Sequence, residues 1–224
     1  MKTYQLRLFQ GHAIIEDDNN IILVDTGAPT TIHHTESLRF NGDQYHCSTT
    51  YAGLTIQSIS DLLGTQITTL LGADILAKYH IILDYRNNKA MFSHQEIEFA
   101  GTEVSISRFM GIPIVEFSID NFPVKLFLDT GAKLSYLSET ITRNYETTGM
   151  DRDFYPGVGQ FETECFMIPT QLYDVNFNVT FGNLPDILQT TLMVGGTDGI
   201  MGFDFFNNFP VYLDLAGGTL KYTP

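Results

Sequence analysis

The chain is written twice. Ile21-Ile22-Leu23-Val24-Asp25-Thr26-Gly27-Ala28 in the first half returns as Val124-Lys125-Leu126-Phe127-Leu128-Asp129-Thr130-Gly131-Ala132 in the second, with the two aspartates 104 positions apart. Farther on, Leu70-Leu71-Gly72-Ala73-Asp74-Ile75-Leu76 is echoed by Ile200-Met201-Gly202-Phe203-Asp204-Phe205-Phe206, and Ile82-Leu83-Asp84-Tyr85 by Tyr212-Leu213-Asp214-Leu215, both at an offset of 130. The same blocks follow in the same order, and the second half carries 26 more residues between its first block and its second. A given tripeptide arises by chance about once in several thousand positions, so two Asp-Thr-Gly copies with matching flanks indicate a duplication. A repeat of this length constrains the whole architecture. It predicts two related lobes, divided near Phe99-Ala100-Gly101-Thr102 into residues 1–100 and 101–224, with no low-complexity linker to let them swing.

The local pattern is β. Short alternating or apolar runs at 5–9, 112–119 and 122–128 are separated by turn signals at Gln10-Gly11, Asp17-Asp18-Asn19-Asn20 and Asp120-Asn121. Helices are expected to be short, at 58–63, 74–78, 138–145 (with Ser138 as the cap) and 204–207.

Composition removes several function classes. Lys+Arg number 12 against 26 Asp+Glu, a net charge of −14 that leaves little basic charge to meet nucleic acid or an anionic membrane surface. No apolar stretch approaches the roughly 20 residues of a membrane span. Polar and charged residues break up the opening Met1 to Arg7, so no secretory leader is expected and the chain reads as cytoplasmic. Cys47 and Cys165 are too few for a disulfide framework and are expected to be buried free thiols.

An Asp at the end of an apolar strand, followed by Thr and Gly, turns the chain sharply out of a buried environment and holds a carboxylate where water is scarce. One such copy reads as a capped turn. Two copies on lobes related by an approximate two-fold axis would face each other, bringing the carboxylates to within roughly 3 Å, where they cannot both ionise. The pair would then hold one proton and supply a base for water and an acid for a carbonyl at the same pH.

On these residues the chain resembles the aspartic proteases of the pepsin and retropepsin superfamily. Three features per half carry the likeness: Asp-Thr-Gly-Ala after an apolar strand, Thr31 or Ser135 six residues after each Asp, and the later Leu70-Leu71-Gly72 or Ile200-Met201-Gly202. The resemblance implies an all-β, bilobal, pepsin/retropepsin-like closed-barrel fold with short helices. It implies an aspartic endopeptidase in which Asp25 and Asp129 are catalytic, Thr26 and Thr130 bond across the lobes, and Gly27, Ala28, Gly131 and Ala132 support the carboxylates. The apolar-apolar-Gly segments would thread beneath the loops. Where pepsins usually carry Ser or Thr after the glycine, Ala28 and Ala132 offer no hydroxyl, which predicts raised proton affinity and an optimum at mildly acidic pH.

The unequal spacing leaves the cleft-covering hairpin unassigned. In the second half 155–161 offers Tyr155, Gly157, Gly159 and Phe161; in the first half the shorter 41–51 offers Tyr45 and Tyr51, and any one of these aromatics reads first as ordinary packing. His33-His34 and His46-Cys47 lack the second pair of a zinc site, and no metal or other cofactor is expected. Gly195-Gly196-Thr197-Asp198-Gly199 lacks the Lys-Ser/Thr of a phosphate loop and reads as the approach to Ile200. The expected partner is a peptide or protein substrate, bound by a monomer. The rival reading is a peptide-binding protein of the same fold that has lost turnover.

Overall fold

The apolar run before each aspartate forms a strand, Asn20–Val24 in the first half and Phe122–Leu128 in the second. Each folds back on the strand before it, His12–Asp17 or Ile112–Ile119, across a two-residue turn. The turn residues Asp18, Asp120 and Asn121 take φ of 52°, 52° and 67°, the left-handed region that Asn and Asp tolerate best among residues with a Cβ. Each strand also pairs in parallel with a later one, Thr69–Leu71 or Gly199–Met201. Those in turn pair antiparallel with Ile32–His33 or Ser135–Leu137. One motif is therefore built twice, as the duplication requires. The computed structural model describes residues 1–155 and 158–224.

Among the described residues three large sheets result, with two separate two-stranded hairpins, Ser37–Phe40/Asp43–His46 and Thr50–Tyr51/Leu54–Thr55. The first half contributes a five-stranded sheet, Arg7–Phe9, His12–Asp17, Asn20–Val24, Thr69–Leu71 and Ile32–His33 in spatial order. The eight-stranded sheet belongs to the second half and runs from Ser107–Phe109 to Gly149–Tyr155. An additional contact there, Ser118 opposite Gln171, joins Ile112–Ile119 to Gly159–Leu172 and brings the sheet back on itself.

The third sheet takes three strands from each half. Its order is Lys2–Gln5, Lys89–Ser93, His80–Asp84, Val211–Asp214, Thr219–Tyr222 and Thr102–Ser105, antiparallel throughout. At its centre Ile82 stands opposite Tyr212, its own counterpart at the 130-residue offset, with Ile81 opposite Leu213 and Leu83 opposite Val211. A ladder that pairs a residue with its own repeat requires an approximate two-fold axis through that pair. The same axis must then relate the two Asp-Thr-Gly loops.

The largest core cluster crosses between the halves, from Phe40, Tyr79 and Phe92 to Phe181, Phe205 and Tyr222. Each such side chain buried contributes about 1.5–3 kcal/mol. This shared core, together with the common sheet, packs the halves firmly against each other. Cys47 and Cys165 are free and buried. Among the described residues no helix is long and apolar enough to cross a membrane.

Helices are short, with one exception. Ile56–Leu63 begins two residues before its expected start, at a reciprocal capping box in which Ser58 N donates to Thr55 Oγ1 (3.1 Å) and Thr55 N to Ser58 Oγ (2.9 Å). Ala73–Leu76 and Phe203–Asn208 lie where helices were expected. Glu139–Thr142 is shorter than its expected span, and Ser138 makes no side-chain cap bond; its hydroxyl lies 2.8 Å from Thr140 Oγ1 instead. The ten-residue helix Asp186–Gly195 was not anticipated from the sequence.

Candidate active site

Each aspartate leaves its strand with its backbone already fixed. Asp25 N donates to Leu71 O at 3.0 Å and Asp129 N to Met201 O at 2.9 Å. The loops that follow meet at the two-fold axis through four reciprocal hydrogen bonds. Thr26 N donates to Thr130 Oγ1 and Thr130 N to Thr26 Oγ1, both at 3.0 Å. Thr26 Oγ1 donates to Leu128 O (2.7 Å) and Thr130 Oγ1 to Val24 O (2.8 Å). Both threonines are buried, so these bonds are made away from water, where a lost partner is costly.

Gly27 N and Ala28 N each donate to Asp25 Oδ1 at 2.9 Å, and Gly131 N donates to Asp129 Oδ1 at 2.7 Å. The carboxyls are thereby oriented by their own loops and stand in hydrogen-bonding contact with each other. Gly27 and Gly131 support the carboxyls through their N–H groups as expected, but neither has a left-handed φ, so turn geometry is not the reason glycine stands there. A Cβ on Gly27 would lie 2.2 Å from Asp129 Cγ, and one on Gly131 would lie 2.5 Å from Asp25 Cγ. Each glycine makes room for the carboxyl of the other half.

Beneath the loops run the two apolar-apolar-Gly segments. Gly72 N donates to Thr31 Oγ1 and Gly202 N to Ser135 Oγ, both at 2.9 Å, while Ala73 N and Phe203 N donate to Ala28 O and Ala132 O. The hydroxyls six residues after each Asp thus brace the loops from below. The supports then diverge: Asp74 Oδ1 accepts from Thr31 Oγ1 (2.6 Å), whereas Asp204 Oδ2 accepts from Thr180 N (2.6 Å).

Both carboxyls keep part of their surface open to a cleft while protein surrounds them elsewhere. Burial raises the pKa of each above the ordinary carboxylate range, and Asp25 goes well above it because the Asp129 charge and the hydrogen bond that the protonated Asp25 carboxyl donates to Asp129 add to the burial. The loop N–H groups oppose the shift without cancelling it. Raised proton affinity was expected from the missing hydroxyl at Ala28 and Ala132; burial is the larger cause, with the neighbouring charge second at Asp25. One proton held between two acids follows from this geometry.

The cleft over the pair is a cavity of about 280 Å³ lined by both aspartates. Of the aromatics suggested to cover it, Tyr51 and Tyr155 line it. Tyr51 belongs to the small hairpin Thr50–Tyr51/Leu54–Thr55, and Tyr155 ends the outgoing strand of the long hairpin Gly149–Tyr155/Gly159–Leu172. Tyr45 lies outside the lining, on the hairpin Ser37–Phe40/Asp43–His46, with its hydroxyl against Tyr79 and Asp43. Phe161 stands behind the wall, its ring 6.2 Å from that of Tyr136. Gly159 opens the return strand at φ 87°, and Gly157 lies outside the described residues.

Several cleft residues had no signal in the sequence. His12 is buried with Nδ1 2.8 Å from Gly131 O; a carbonyl only accepts, so Nδ1 carries the proton. Burial also lowers the pKa of His12. Lys133 Nζ donates to Asp151 Oδ1 (3.0 Å) and Arg152 O (2.8 Å), and Tyr136 OH donates to Asp153, so the long hairpin is tied down along the middle of its outgoing strand. His33, considered above for zinc, is buried with Nδ1 2.8 Å from Thr69 Oγ1. The Gly195 to Gly199 stretch ends a helix and leads into strand Gly199–Met201, with Asp198 Oδ2 accepting from Lys125 N (2.8 Å).

No family model matches the chain, and no curated protein does. Among solved structures the chain is similar to the crystal structure of a retropepsin-like aspartic protease from Rickettsia conorii. The identity is 15%, the TM-score 0.39, and the match covers 55% of this chain and 89% of that one.

Proposed function

We propose that the chain is an aspartic endopeptidase in which Asp25 and Asp129 activate one water against a peptide bond. The observation that carries this reading is the meeting of two carboxyls, one from each half and both with raised pKa, on the floor of a cleft. Water held between them gives a proton to the ionised carboxylate as its oxygen attacks the scissile carbonyl carbon. The protonated carboxyl gives its proton to the carbonyl oxygen, forming a tetrahedral diol. On collapse the pair gives its proton to the departing nitrogen and takes one from a diol hydroxyl as the C=O bond reforms and the C–N bond breaks, so the pair is singly protonated again. An extended peptide would lie across the cleft, gripped partly through main-chain hydrogen bonds.

The lobes assigned to 1–100 and 101–224 each donate one acid, so a single chain holds a whole site, and we propose that it acts as a monomer in the cytoplasm. Nucleic acid and membrane are not among its proposed partners. Because both acids bind protons more tightly than free carboxylates do, the singly protonated pair persists to higher pH, placing the optimum at mildly acidic pH. Incubation with a mixed peptide library across pH, with fragments read by mass spectrometry, tests the reading. Asp25→Asn and Asp129→Asn should each lower cleavage about 10³-fold or more while circular dichroism stays unchanged. Peptide binding without cleavage by the unaltered chain would establish the rival reading.

A further inference from the structure

The duplication allows the cleft wall of one half to be compared with the same place in the other, and the two differ. On the first-half side Leu23, Ile32, Leu54, Ile59, Leu63 and Leu70 line the cavity as an apolar wall, with His12, Thr30 and Tyr51 the polar side chains of that half beside it. Ile59 and Leu63 come from the helix Ile56–Leu63, which stands open to the cleft along that face.

At the 104-residue offset Leu23 becomes Phe127 and Ile32 becomes Tyr136. Phe127 is buried and does not line the cavity; its ring is packed so closely that a Cβ on Gly195 would lie 2.4 Å from Cζ. The helix Asp186–Gly195 takes the place of Ile56–Leu63, yet none of its described side chains reaches the cleft. Leu188 and Leu192 pack inward in the same cluster as Phe127. What remains on this side is Ala132 and Ile200 beside Lys133, Tyr136 and Asp153, whose polar groups are already engaged, with Tyr155 packed on the second-half cluster and Phe154 packed across onto the first-half one. Larger side chains have filled in the second half the space that smaller ones leave open in the first.

Resting on the peptidase reading, we infer that the enzyme selects substrates by one large apolar side chain on a single flank of the scissile bond. That side chain enters the Leu23–Ile32–Leu63 pocket, and among the described residues the opposite flank meets no matching pocket. Leu23 and Ile32 are the specificity-determining positions, because the chain's own second half shows what closes the pocket.

The test is a cleavage profile of a proteome-derived peptide library, with residues on both flanks of every cut read by mass spectrometry. The unaltered chain should prefer Leu, Met or Phe over Ala by about 10–100-fold on one flank, the same flank in every cut, with no such preference on the other. Ile32→Tyr, which imports the second half's residue, should reduce that preference at least tenfold. Leu54→Phe, at a half-buried rim position where the fold is not at stake, should weaken it in the same direction. Equal apolar demand on both flanks, or a preference untouched by both variants, would overturn the inference and leave the peptidase reading standing. Absence of cleavage by the unaltered chain at any pH would overturn both.

Discussion

Replacing Gly27 by Ala tests whether the two loops meet as closely as the site requires. The added Cβ would stand 2.2 Å from Asp129 Cγ and Oδ2 and 2.5 Å from Oδ1. Non-bonded carbon contacts settle at about 3.5–4.0 Å, so the Asp129 carboxyl must retreat by more than about 1 Å. It cannot do so freely, since Oδ1 is held by Gly131 N at 2.7 Å and the backbone by Met201 O. Position 27 has no left-handed φ, so alanine is tolerated by the backbone and the loss of stability should stay within the roughly 1–3 kcal/mol of overpacking. A misplacement of 1 Å in a catalytic pair costs on the order of 10²-fold. Steady-state kinetics on a peptide from the library should therefore show kcat/KM down about 10²-fold. The alkaline limb of the pH profile should also move to lower pH, because separating the carboxyls relieves part of what raises the Asp25 pKa. Gly131→Ala, whose Cβ would press on Asp25, is the mirror experiment and should behave alike. Activity within about threefold of the unaltered chain, with the same pH profile, would refute the reasoning.

Two further outcomes follow from the same geometry. Thr26→Val leaves Thr130 N and Leu128 O without partners in a dry interface, so urea unfolding should show a loss of about 2–4 kcal/mol, matched by Thr130→Val; no measurable loss would contradict the reciprocal bonding. Asp25→Asn should stabilise the protein at neutral pH. A carboxyl whose folded pKa is raised adds stability only below the ordinary Asp range and loses it as pH rises through the folded value. The gain at pH 7 should be on the order of 1–3 kcal/mol and vanish near pH 3, and equal stability of the two proteins at both pH values would count against the shift.

Much of this site could be read from residues alone because the duplication encodes it. Asp25, Thr26, Gly72 and their counterparts recur with their apolar flanks, and a two-fold relation then dictates that like meets like. The reason for Gly27 and Gly131 was hidden, since what they accommodate is an atom 104 positions away. His12 and Lys133 escaped notice because neither residue recurs at the matching place in the other half, and Phe154 because it reaches the cleft from the long hairpin. The 26 additional residues were countable, but their contribution to the long hairpin and the helix Asp186–Gly195 depended on pairing that no local signal announces. Tyr45 and Tyr51 are six residues apart with similar surroundings in sequence, yet the register that sets Tyr45 opposite Leu38 turns it toward Tyr79 instead of the cleft.

The most direct measurement is an NMR titration of the aspartate carboxyl carbons in ¹³C-labelled protein, compared with Asp25→Asn and Asp129→Asn to assign the signals. Two carboxyls sharing one proton should titrate in well-separated steps, the upper far above the range of free aspartate. Both resonances ionising together near the value of an exposed carboxylate would contradict the account.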